Sequence, residues 1–132
     1  MKNEFQKKVQ KFMDDKYISV FKENGILILY WKEETINFTD SDFKEEALKY
    51  IAIVQKENSL KIIVDMRNFF YDLSEEVIAW RKENIISIYN KIKVEKFAFI
   101  SEKPTINQDN PKNTFTTKSF SSEQEAKKWI NS

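Results

Sequence analysis

Asp65, Arg67 and Asn68 close an apolar run inside KIIVDMRNFFYDLSEEVIAW, residues 61–80. A carboxylate and a guanidinium two residues apart can present a fork of donors and acceptors to a ligand. They can also pair with each other and tie a loop. The carboxyl end of a strand in an open α/β sheet is where ligands gather, so this corner is a candidate contact surface for a ligand or a partner. Phe69, Phe70 and Tyr71 follow at once. Three aromatics in a loop are costly to expose. They pack on the core, line a pocket or face a partner, and core packing is the default. Ser74 then precedes Glu75 and Glu76, the pattern of a helix N-cap with an acidic first turn.

Other chemistry is excluded by what the chain lacks. It has no cysteine and no histidine. Thiol nucleophiles, disulfides, imidazole bases and the usual zinc and haem ligands are therefore missing. Glu33 and Glu34 have no second acid to work with in a glycosidase-type pair. With a single glycine there is no phosphate-cradling loop. No enzyme activity, metal or cofactor is expected. The 22 basic and 21 acidic residues leave a net charge of +1, which argues against nucleic acid. Lys7, Lys8 and Lys11 are offset by Glu4, Asp14 and Asp15 and read as a solvated face. No apolar run reaches the ~18–20 residues of a membrane span, and the first residues lack a signal-peptide core. A cytoplasmic location is therefore expected, and the length predicts a single domain.

The elements that must hold the corner follow from periodicity. Phe5, Val9, Phe12 and Met13 predict an amphipathic helix within residues 1–15. Residues 16–23 and ILILYWKE flank Asn24-Gly25, a strong hairpin signal. Thr39 to Asp42 open a helix that carries Phe43, Ala47, Leu48, Ile51 and Val54. LKIIVDM is a buried strand, and Ser74 to about Lys91 form a helix with Val77, Trp80, Ile85, Ile88, Tyr89 and Ile92 on one stripe. EKFAFIS, TFTTKSF and SSEQEAKKWI predict a buried strand, an edge strand and a closing helix. Strands separated by single helices imply right-handed parallel crossovers.

This pattern resembles the STAS domains, in their SpoIIAA-like (STAS/SEC14-type) branch. The likeness lies in a strand ending in Val64-Asp65-Met66-Arg67-Asn68 and in a closing Phe120-Ser121 with Glu125, Ala126, Trp129 and Ile130. It covers roughly residues 16–132, which reads as one such domain after the N-terminal helix. The resemblance implies a mixed α/β sheet, an N-terminal hairpin followed by mainly parallel strands, and a regulatory, non-enzymatic role. In the anti-sigma antagonists of the family a serine in an Asp-Ser-Ser-Gly motif is phosphorylated. YDLSEE places Asp72 and Ser74 at the matching offset, so Ser74 is the candidate phosphoacceptor, although an N-cap role alone also explains it.

ILILYW, IIV and FAFI are apolar at consecutive positions, so both sheet faces need cover. The N-terminal helix, a second subunit in a homodimer, or an apolar ligand are the candidates. The expected function is binding of a protein partner through the corner Asp65–Glu76. The alternative is a carrier of a small apolar ligand, similar to the lipid-binding relatives of this fold, with the pocket between helices and sheet lined by Phe69, Phe70 and Tyr71.

Overall fold

The computed structural model describes residues 9–102 and 111–132. Their strands form one six-stranded sheet in the spatial order of the chain. These are β1 (Val9–Asp14), β2 (Ile18–Glu23), β3 (Ile26–Trp31), β4 (Lys61–Asp65), β5 (Lys96–Ile100) and β6 (Thr116–Phe120). β1, β2 and β3 are antiparallel, and β3 to β6 run parallel. Helix α1 (Asp40–Glu57) joins β3 to β4. Between β4 and β5 lie α2 (Glu75–Arg81), a π-helical turn (Lys82–Ile86) and α3 (Ser87–Ile92). α4 (Glu123–Ile130) follows β6. Among the described residues no helix is long and apolar enough to cross a membrane.

The expected N-terminal helix is a correction. Residues 9–14 are a strand paired with β2, while Phe5 and the rest of residues 1–8 lie outside the described residues. A bulge between Lys11 and Met13 shifts the register there. It lets the adjacent Phe12 and Met13 both pack against the core. Apolar residues bunched in this way imitate a helical stripe. The open hydrogen-bonding edge of β2 outweighs that local signal.

The hairpin is formed as its residues dictate. Asn24 and Gly25 have φ of 51° and 84°. Both are left-handed, as a two-residue turn matched to strand twist requires. A Cβ at Gly25 would meet nothing within 4 Å, so backbone strain alone opposes substitution. Gly25→Val is expected to cost roughly 1–2 kcal/mol, seen as a lower midpoint in urea with an unchanged slope. An unmoved midpoint would mean that the turn does not need its glycine.

Helix α1 starts at a capping box. The Thr39 hydroxyl accepts from the Asp42 amide at 3.1 Å, and Asp42 accepts from the Thr39 amide at 3.0 Å. Phe43, Ala47, Tyr50, Ile51 and Val54 are buried. Leu48, expected on that stripe, is 49% exposed, and Tyr50 is turned inward instead.

A sheet in sequence order with right-handed crossovers must put every crossover helix on one face. α1, α2 and α3 do lie together there, over Leu27, Leu29, Ile62, Val64 and Phe97. The opposite face carries Ile26, Ile28, Ile63, Ala98 and Ile100, and α4 covers it with Ala126 and Ile130, both fully buried. Neither an N-terminal helix nor a second subunit is needed to cover this patch.

One buried acid stands out in the helical layer. Glu46 on α1 is 4% exposed, and its Oε1 has no donor. Burial and then the Asp15 carboxylate push Glu46 up from the ordinary range, against its 2.8 Å pair with Lys49. Burial works against Asp15 as well. The neighbouring Glu46 carboxyl and hydrogen bonds from the Tyr17 and Ile18 amides nonetheless hold Asp15 down. A carboxyl with a raised folded pKa binds its proton more tightly in the folded state. Its stabilising contribution is full at low pH and fades as pH rises through the folded value. Glu46→Gln removes a buried carboxyl that faces the Asp15 carboxylate and offers Asp15 an amide donor at every pH. It is expected to raise stability at pH 7 by about 1 kcal/mol, with the gain vanishing below the ordinary carboxylate range. Thermal melts across pH measure this, and a variant less stable than wild type at pH 7 would show that Glu46 is charged and well paired.

Candidate functional site

The corner after β4 is largely occupied with itself. Asp65 is 7% exposed. Its Oδ1 accepts from Arg67 Nε and from the Arg67 amide, both at 3.0 Å, and its Oδ2 accepts from Arg67 Nη2 at 2.6 Å. This bidentate pair ties the loop and leaves the carboxylate little capacity for a ligand. Arg67 keeps 39% of its side chain exposed. Asn68 and Asp72 are exposed.

The aromatics that follow alternate. Phe69 packs on Trp31 with ring centroids 4.9 Å apart, and Tyr71 stacks on Phe43 at 5.5 Å. Phe70 between them points outward and is 49% exposed. Extended backbone puts successive side chains on opposite sides, so two of the three reach the core. The loop is pinned by a residue with no motif to announce it. Thr35, fully buried in a short 3₁₀ turn (Glu33–Asn37), donates to the Asn68 carbonyl at 3.2 Å and accepts from the Phe70 amide at 2.9 Å.

Ser74 is the N-cap of α2. Its Oγ accepts from the Val77 amide at 3.2 Å and donates to Asp40 Oδ2 at 2.8 Å. Tyr71 donates to the same Asp40 carboxylate. These hydroxyls, Tyr71 first, hold Asp40 below the usual carboxylate range. Burial, then Asp40, pushes Tyr71 up to about 12. An added charge at position 74 would meet Asp40, Glu75 and Glu76. Ser74→Ala is expected to cost about 1 kcal/mol as a lost cap. Ser74→Asp should be less stable than Ser74→Ala at pH 7, because its carboxylate faces Asp40, and should recover in acid. Chemical denaturation of both variants at two pH values tests this, and an Asp variant as stable as wild type would show that the site tolerates a phosphate-like charge.

The space beside this corner is a cleft between the helical layer and the sheet. A cavity of about 180 Å³ is walled mainly by apolar side chains, among them Leu29, Val64, Phe69, Ile85 and Phe99. Next to it a groove of about 570 Å³ runs between α2–α3 and β5–β6. The two share Leu73, Arg81, Tyr89, Phe97 and Phe99 as lining. Phe69 is the only member of the Phe69–Tyr71 triplet that lines either.

The helix over the cleft owes its form to a four-residue repeat. Val77, Arg81, Ile85 and Tyr89 are spaced by four. A straight α-helix of ~3.6 residues per turn would carry such a row progressively off its face. The π-helical turn at Lys82–Ile86 takes up part of that drift. Asn84 donates to the Trp80 carbonyl at 2.9 Å and Ser87 to the Glu83 carbonyl, so side chains satisfy carbonyls at and just before the widened turn.

Two polar features line the cavity. The Tyr50 and Tyr89 hydroxyls are buried and 2.7 Å apart. Burial pushes Tyr89 up to about 12 and Tyr50 well above its usual value, so both remain protonated. Arg81 is the other. Sequence reasoning passed over it, although a charged residue in step with Val77, Ile85 and Tyr89 on an apolar stripe was a legible signal. Among the described residues no group of three or more metal-ligating acids is found. No family model matches the chain, and no curated protein and no solved structure matches it either.

Proposed function

We propose that the chain is a non-enzymatic binding domain of the SpoIIAA-like type that holds a small apolar molecule between its helices and its sheet. The cleft carries this reading. A dry cavity of ~150 Å³ lined by Leu, Ile and Phe is enough to bind benzene. The present cavity is about 180 Å³ and borders a groove of about 570 Å³. Small-molecule sites fall at ~300–1,000 Å³, with mainly apolar walls and a few polar groups. The π-helical turn supports the same reading, since such turns recur at functional sites. Native mass spectrometry of the purified chain should show an extra mass that organic solvent releases. Ala47→Phe, which fills the cavity, should abolish it. A bare protein that also fails to brighten a polarity-sensitive apolar dye would overturn the proposal.

A second reading is the regulatory partner-binding role implied by the resemblance. One observation favours it. Phe70 and Ile36 are 49% and 67% exposed, and the Thr35 hydroxyl fixes the Phe70 amide beside the turn that carries Ile36. Phe70→Ser with Ile36→Ser should then abolish capture of a partner while leaving dye binding in the cleft intact.

A further inference from the structure

Of the two arginines in the chain, Arg67 is engaged by Asp65, but Arg81 has no carboxylate partner among the described residues. Arg81 is half-buried and lines both the cavity and the groove. The described lining of these spaces contains no Asp or Glu, whereas Lys82 joins Arg81 along the groove. A guanidinium partly stripped of water against apolar walls is costly to leave uncompensated. The Tyr50–Tyr89 pair adds a donor. One hydroxyl hydrogen bridges the two oxygens, and the other is free for an acceptor in the cavity.

We propose that the cleft takes an amphipathic carboxylate, with its aliphatic chain among the apolar side chains and its carboxylate on Arg81. This rests on the cleft reading above and deepens it. A guanidinium meets a carboxylate through two parallel hydrogen bonds, a fit that an alcohol or an amine cannot reproduce. Walls of Leu29, Val64, Ile85 and Phe99 suit an unbranched hydrocarbon chain.

Calorimetric titration of the full chain with decanoate, decanol and decylammonium tests this. Decanoate should bind roughly tenfold or more tighter than decanol, and decylammonium should bind weakest. Arg81→Met should bring decanoate down to the level of decanol, and Arg81→Lys should retain part of the preference. Tyr50→Phe with Tyr89→Phe, which removes the free donor whichever hydroxyl carries it, should weaken decanoate more than decanol. Circular dichroism establishes that each variant is folded, and the comparison of ligands on wild type does not depend on any variant. Decanol bound as tightly as decanoate, or a preference that survives Arg81→Met, would overturn the carboxylate assignment and leave the apolar cleft standing. Failure of all three ligands to bind would overturn both.

Discussion

Removal of residues 121–132 is expected to leave a chain that does not hold a monomeric native state. α4 is the sole described cover of the second sheet face. Ala126 and Ile130 sit at full burial over Ile26, Ile28, Ile63, Ala98 and Ile100. Each buried isoleucine contributes roughly 1.5–3 kcal/mol. Uncovering several at once rivals the ~5–15 kcal/mol by which domains are stable at all. Polar ties go with them. Tyr30 donates to Glu123 at 2.7 Å, and Lys127 bridges Glu23 and Glu123 at 2.5 and 2.7 Å. The truncated chain should lose its cooperative melt, bind apolar dyes strongly and elute as oligomers. Ile130→Ala is the milder version, expected to cost about 2–5 kcal/mol. A truncated chain that stays monomeric, dye-silent and equally stable would show that the face needs no cover.

Thr35→Val should destabilise by about 2–4 kcal/mol, a large effect for a change that keeps the side-chain shape. The substitution removes both hydrogen bonds of a fully buried hydroxyl. It leaves the Phe70 amide without its partner, and a buried unsatisfied donor costs ~1–3 kcal/mol beyond the lost bonds. The effect should reach the cleft, because the same loop aims Phe69 at Trp31 and into the cavity wall. Hydrogen exchange should show faster opening at residues 68–71 with little change in β4. Thr35→Ser should recover most of the loss. If Thr35→Val melts like wild type, the loop is held by its aromatics alone.

The strands and helices were legible where local signals agreed with global packing. Asn24-Gly25, Thr39 with Asp42, and the unbroken runs at residues 62–64 and 97–100 each had one consistent meaning. Val9 to Asp14 misled because a bulge brings neighbouring apolar residues to one side, and periodicity alone cannot tell that from a helix. The need to cover a second face was readable from the strands. That α4 does the covering follows from the strand order and the handedness of the crossovers, which no local signal carries. The corner at Asp65–Ser74 was conspicuous in the sequence, yet much of its bonding capacity is spent internally. The cleft was less visible. Its polar members, Tyr50 on α1, Arg81 on α2 and Tyr89 on α3, are distant in the chain, and only the fold sets them side by side. Thr35 had no signal at all, since a lone threonine near a strand end is commonplace.

Strict neighbour-to-neighbour strand order has a kinetic consequence. Each new strand needs only the one before it, so no strand pairing has to close more than one crossover at a time. A nascent chain can therefore zip its sheet outward one strand at a time. The helices over the first face arrive between the strands and shield it during growth. The helix for the second face arrives after every strand is in place. Until then an isoleucine-rich surface stands bare, and that interval is when the chain is most exposed to aggregation and to capture by chaperones.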